Sequence, residues 1–358
     1  MLEKDLRELL ATVAPPDLHA AMAAHEHWSS CAKPLGGLGL LETMVEEIAA
    51  LTGCAEVHLS NRTLLVFCAD NGVVAEGVSQ TTSEVTAIVA AALASGRSTA
   101  NRMAVLAGCT VMPVDIGICN PPVLEGVRNC RVRNGTDNIA RGPAMTREQA
   151  VQAIFTGMDL VAEQKKQGIQ LIATGEMGIG NTTTATAVAC ALLGLEPRYV
   201  TGRGAGLSDA GLTRKISVIR QALEENRPNP EDALDILSKV GGLDLAGLCG
   251  VFLGGALYRV PILMDGVITA AAALCAVRLC PAAAQAIFAS HCSAEPCGRL
   301  LLDALGKKPL LTAEMHLGEG TGALAVMPLL EMALAVYHDG STFSDYGMTA
   351  YTPQGRLQ

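Results

Sequence analysis

The sequence predicts an α/β protein built on a mostly parallel sheet. Short apolar runs bounded by Gly, Asp or Asn alternate with longer segments of helical periodicity, a pattern that favours right-handed βαβ units. Half of the 358 residues are hydrophobic but only 3% are aromatic, with Trp28 the single tryptophan. Such a core packs through small and aliphatic side chains, as helices do against a sheet. Taken in order, Leu2, Leu6, Leu9, Leu10 and Val13 recur at helical spacing and Pro15-Pro16 ends that helix. Strands are predicted at Thr63–Ala69, Thr110–Ile116, Ile169–Thr174 and Val260–Met264, with helices over Ser83–Leu93 and Arg147–Gln167 between them. Length alone suggests about two domains, at ~150 residues each, or one large domain with an appendage. The stretch from Asp339 to Gln358 is polar and turn-rich.

Composition removes several classes of function. Twenty-six basic against 35 acidic residues give a net charge of −9, with no basic run or aromatic-interleaved Lys/Arg patch, so nucleic-acid binding lacks its electrostatic footprint. Of the uncharged stretches considered, Met177–Leu195 comes nearest to the ~18–20 residues of a membrane span, and it opens with Gly, Asn and three Thr. No membrane association is expected. The N-terminal segment is charged and amphipathic rather than a secretory signal, which points to the cytoplasm. Twelve cysteines are scattered through apolar runs without a CxxC pair, which reads as reduced core thiols; no metal-ligand spacing accompanies them.

In a parallel sheet the ligand lies beyond the carboxyl ends of the strands. Polar clusters fall in those places: Asp70-Asn71-Gly72, Asp115-Ile116-Gly117 and Gly175-Glu176. The sharpest motif is Gly175–Thr184, GEMGIGNTTT, in which Gly178 and Gly180 precede a helix opened by Asn181 and Thr182. Glycines admit an anion to the backbone, and amides at a helix start point toward it. Thr201–Asp209, TGRGAGLSD, places Gly202 and Gly204 before a helix carrying Arg214 and Lys215, cations suited to a phosphate. In Met315–Ala323, Glu319 is framed by glycines, as a partly desolvated general base would be. In Ser290–Glu295, Ser293 is a candidate phosphate donor and His291 reads first as a structural hydrogen-bonder. Each segment also has a plain reading as a capped helix or a solvated turn.

Together, KPLGGLGLLE (Lys33–Glu42), CADNGVVAEGVS (Cys68–Ser79), NIARGPAMT (Asn138–Thr146), GEMGIGNTTTA, TGRGAGL, GGLDLAGLCG, PILMDG, SHCSAE and LGEGTGA resemble the nicotinate-nucleotide–dimethylbenzimidazole phosphoribosyltransferase family from about Lys33 to His338. The resemblance implies a large Rossmann-like domain (31–330) and a small helical domain from both chain ends (1–30 and 331–358). It implies dimers with active sites near the subunit interface, as a homodimer or with a paralogous subunit. The implied reaction moves 5-phosphoribosyl from nicotinate mononucleotide to an aromatic acceptor with inversion at C1′. That step serves cobamide (B12-type) lower-ligand synthesis and uses no cofactor or metal. The resemblance places the catalytic glutamate on Glu319 and a second active-site carboxylate on Glu176. Gly178, the Gly202–Gly206 loop, Lys215 and Ser293 fall in the phosphoribosyl pocket, to which Gly180, Asn181 and Thr182 are added by their motif. Asn71, Thr81, Ile88 and Val89 fall in the acceptor pocket.

Departures from the family pattern gather at the acceptor. Leu35 and Gly37 replace a Pro and a Ser, Asn71 replaces a His, and Ile88/Val89 stand where members carry a base-reading glutamine. An apolar pocket suits phenol or p-cresol better than dimethylbenzimidazole; the alternative is drift in a pocket that still takes dimethylbenzimidazole. A phenol, with a pKa near ~10, still needs a base to attack. Two other readings compete: a supporting subunit of a heterodimer, and a nicotinamide-dependent oxidoreductase. The second lacks a G-x-G-x-x-G.

Overall fold

The structure is a computed structural model that describes residues 2–352. Six parallel strands form one sheet: β1 (Arg62–Ala69), β2 (Cys109–Gly117), β3 (Arg128–Asn129), β4 (Leu171–Met177), β5 (Ile262–Met264) and β6 (Ile287–Ala289). Their order is β3-β2-β1-β4-β5-β6. The chain builds outward from β1 in one direction and, from β4, in the other, so a crevice opens beyond the carboxyl ends of β1 and β4. Every residue of β1 is buried, as expected for a central strand covered on both faces by helices.

β4 runs further than its apolar stretch predicts. Pairing with β1 continues through Phe67↔Glu176 and Cys68↔Met177, so Gly175 and Glu176 lie within the strand rather than after it. Glu176 is thereby fixed by the sheet. The two strands without a prediction, β3 and β6, have two and three residues, too short to carry a periodic signal. Small side chains set the packing. The helices Arg147–Lys166 and Leu243–Tyr258 approach until Gly157 lies against the carbonyl of Gly247 and Gly250 against that of Ile154, with no room for a Cβ at either glycine.

The chain ends meet away from the crevice. Trp28, in the helix Leu18–Ser30, packs edge-on to Tyr337 at 4.8 Å, and the amide of Phe343 donates to the carbonyl of Ser30 at 3.1 Å. The helix Leu40–Thr52 joins this group, whereas Glu3–Leu10 packs on the far side, where Glu3 meets Arg147 at 2.6 Å. The expected C-terminal contribution extends to residue 358, and its last six residues lie outside the described ones. The helix Thr321–Asp339 is long and apolar enough to span a membrane by length and composition. Its hydrophobic face is core, and Glu331 within it pairs with Arg62. Among the described residues all twelve cysteines are unpaired, and seven are buried.

Candidate active site

A cavity of about 950 Å³ occupies the crevice, lined by strand ends and by the loops that follow them. It brings together most of the residues singled out from sequence: Glu176, Gly178, Gly180, Asn181, Thr182, Gly202, Gly204, Ser293, Glu319, Thr81 and Val89. Three placements differ from expectation. Ile88 is 65% exposed and stands outside the cavity wall, because on the helix Glu84–Ala94 it is Val85 and Val89, one turn apart, that face inward. Asn71 is buried behind the wall. Its Nδ2 donates to the carbonyl of Ile179 at 3.5 Å, and its Oδ1 accepts from Thr184 Oγ1 at 3.3 Å, so it ties the end of β1 to the helix Asn181–Leu193 that follows β4 rather than facing an acceptor. Lys215 sits behind Thr182, 1% exposed, and reaches the site through a 2.8 Å hydrogen bond from Nζ to Thr182 Oγ1.

One wall is acidic. Asn181, first residue of the helix Asn181–Leu193, donates from Nδ2 both to Glu176 and, at 3.1 Å, to Asp244. Burial is the main cause that pushes Glu176 up to about 8, reinforced by Asp244, Asp265 and Glu319 and opposed by the Asn181 hydrogen bond. Asp244 is pushed up to about 6, again chiefly by burial. Asp265 follows β5 and accepts from the amides of Gly320 (3.2 Å), Gly322 (2.8 Å) and Ala323 (3.2 Å), capping the helix Thr321–Asp339. That cap fixes the turn carrying Glu319. Glu319 itself is held in the left-handed region at φ 57°, a conformation costing a non-glycine residue roughly 1 kcal/mol or more. Its Oε2 is buried with no hydrogen-bond partner among the described residues, and burial raises the carboxyl's pKa above the ordinary value of 4.5, opposed by the backbone amide of Ala100 and reinforced by Asp265.

A second part of the lining is glycine-rich, with the Lys215 cation one layer behind it. Burial lowers Lys215 to about 8, against the effect of Glu295. Ser293 Oγ accepts from the amide of Glu295 at 3.3 Å. His291 lines the cavity yet has a packing role, its Nδ1 3.2 Å from Ser290 Oγ and its ring against Gly322. Among the described residues no group of three or more His, Cys, Asp or Glu is arranged to hold a metal ion. Sequence reasoning passed over Asp244, Asp265 and Glu295. For Asp265 the signal was present, an Asp closing an apolar run before Gly, the same pattern that marked Asp70.

A doubly wound parallel sheet with a cavity at its switch point, lined by carboxyl groups and glycine loops and without a G-x-G-x-x-G, is the architecture of a nucleotide-using α/β enzyme. Residues 13–348 match the Phosphoribosyltransferase family model. The chain is 45% identical to a nicotinate-nucleotide–dimethylbenzimidazole phosphoribosyltransferase of Acetivibrio thermocellus, over 91% of this chain and 93% of that protein. It is 41% identical to one from Ruminiclostridium cellulolyticum, over 97% and 98% respectively. The crystal structure of CobT from Thermus thermophilus superposes with a TM-score of 0.87 at 38% identity, covering 93% of this chain and all of that one. The chain therefore belongs to the nicotinate-nucleotide–dimethylbenzimidazole phosphoribosyltransferase family, and it is a pentosyltransferase. The oxidoreductase reading is set aside.

Proposed function

We propose that this enzyme transfers 5-phosphoribosyl from nicotinate mononucleotide to an aromatic acceptor, releasing nicotinate and forming the α-ribotide for a cobamide lower ligand. The observation that carries the reading is Glu319: a residue lining the cavity whose carboxyl is partly desolvated, with Oε2 buried and without a hydrogen-bond partner among the described residues. Glu319 takes the acceptor's proton as the acceptor lone pair bonds to C1′. The C1′–N bond breaks as the new bond forms, its electron pair going to the pyridinium nitrogen, so nicotinate leaves from the opposite face without an acid. The phosphate end sits among Gly178, Gly180, Asn181, Thr182, Gly202, Gly204 and Ser293, with Lys215 behind them. Glu176 enters this site largely protonated at neutral pH, since burial holds it near 8. The pyridinium and the cationic character at C1′ are the charges that draw it toward its ionised form.

The acceptor wall favours a ring with one protic atom. Val78, Val85, Val89, Ile179 and Leu317 line it, and the nearby amide of Gln80 is already committed to the carbonyls of Ala205 and Gly206. That supports a phenol or p-cresol, while the names of the relatives support dimethylbenzimidazole. We place the enzyme in the cytoplasm, as a homodimer or paired with a paralogous subunit, the unpaired cysteines supporting a reducing compartment. We read residues 31–330 as the catalytic domain and the chain ends as a helical domain; Trp28 packing on Tyr337 supports the pairing of the ends, while Leu40–Thr52 packs with that group and Glu3–Leu10 packs with the catalytic domain at Arg147. The test is nicotinate release from nicotinate mononucleotide with dimethylbenzimidazole, adenine, phenol and p-cresol in parallel, with Glu319→Gln as control. Turnover of phenols lost in the variant supports the phenolic reading; turnover of dimethylbenzimidazole alone overturns it. Silence with all four indicates a missing partner subunit.

A further inference from the structure

The glycine loop proposed to receive the substrate phosphate already holds an anion of the protein's own. Gly204 donates its amide to Glu295 Oε1 at 3.1 Å, and the other carboxylate oxygen of Glu295 fills the space where a Cβ at Gly202 would stand. The Glu295 backbone amide is tied to Ser293 Oγ, so the side chain reaches into the cradle from the segment that supplies one of its phosphate donors. Beside it, Lys215 is 1% exposed, with its Nζ 3.5 Å from where a Cβ at Gly204 would stand; Glu295 acts on this ammonium from beyond ion-pair distance, and the ammonium's hydrogen bond goes to the neutral Thr182 hydroxyl. Arg203, the other cation of the loop, is occupied by Asp209 and by the carbonyl of Leu207. A buried ammonium that makes no ion pair with its Glu295 neighbour, beside a glycine amide bonded to that same carboxylate, describes a place for a stronger anion than the one present.

We propose that Glu295 is a specificity-determining residue of the phosphoribosyl pocket: its carboxylate occupies the Gly202–Gly204 cradle in the free enzyme and is displaced by the substrate phosphate. The inference rests on the reading of this loop as the phosphate site. Displacement sets a threshold that a phosphate passes, since it gains both the Gly204 amide and the Lys215 ammonium, whereas a weakly charged ligand does not. Gly202 is then needed for the carboxylate's resting position.

The experiment measures affinity for inorganic phosphate, nicotinate mononucleotide and the phosphate-free nicotinate riboside by calorimetry, using the intact enzyme and its Glu295→Gln and Lys215→Met variants. Removing the competing charge in Glu295→Gln is expected to tighten inorganic phosphate and nicotinate mononucleotide about tenfold while leaving the riboside unchanged. Lys215→Met is expected to weaken both phosphate ligands. Unchanged or weaker phosphate binding in Glu295→Gln, with Lys215→Met still impaired, overturns the role of Glu295 and leaves the phosphate site standing. Full phosphate affinity in Lys215→Met overturns the phosphate site itself, and the inference with it. Melting of each variant without ligand, compared with wild type, separates these outcomes from loss of fold.

Discussion

The two walls of the cavity are built on opposite principles. The acid wall is carried by strands and capped helices: Glu176 within β4, Asp265 just past β5, and Glu319 on a turn that Asp265 holds by three amides. The glycine-rich wall is carried by the loop from Thr201 to Ser208 and by a lysine one layer behind it. Burial acts on both, and with opposite sign. It disfavours charge in each case, so the carboxyl groups rise and the ammonium falls. A rigid wall suits the chemistry, where a misplaced base costs rate. A glycine loop suits a phosphate, which backbone amides can follow as it arrives.

That contrast predicts that damage to the acid wall appears in kcat and damage to the cradle in KM. Glu319→Gln is expected to lower kcat by about 10²–10⁴-fold, with the KM for nicotinate mononucleotide little changed, in a nicotinate-release assay. An equal rise in KM would break the distinction. Lys215→Met is expected to raise that KM by roughly tenfold or more, since a charge-assisted hydrogen bond is lost, with a smaller change in kcat.

Protonation offers a third test. Glu176 has a folded pKa of about 8 against an ordinary 4.5, so between these values the folded state holds a proton that the unfolded chain has released. Its contribution to stability is full below the unfolded value and lost as pH rises through about 8. Glu176→Gln should therefore melt near wild type at about pH 5 and above it at about pH 8.5. A constant gap across that range would contradict the burial argument. In the same way, kcat/KM should rise with pH through a pKa above 4.5, because Glu319 must be ionised to act as base.

The smallest expected effect concerns two adjacent residues. Ile88→Ala should change acceptor turnover by less than about twofold, as surface substitutions do. Val89→Asn should shift the preference between phenol and dimethylbenzimidazole, measured as the ratio of kcat/KM, because Val89 alone of the pair faces the cavity.

Much of this was legible in the residues. The apolar runs marked β1, β2, β4 and β5, since a strand buried on both faces must be apolar, and the glycine clusters marked loops that line the cavity, since a Gly-rich turn lets backbone come close to a ligand. Glu319 between glycines was visible for the same reason. The helix Thr321–Asp339 did not stand out as one long apolar stretch because Glu331 interrupts it, although that charge is paired with Arg62.

What the sequence determined alone was the class of fold, the order of the motifs and the kinds of group the site would hold, all properties of local pattern. Tertiary structure decided which of those groups meet. It turned Asn71 inward to brace a helix and Ile88 outward to solvent, and it extended β4 to carry Glu176. It also gave Asp244, Asp265 and Glu295 their partners across the chain. The reason is physical: a side chain's neighbours, and hence its charge state, depend on which elements pack against it, and no spacing along one segment contains that information.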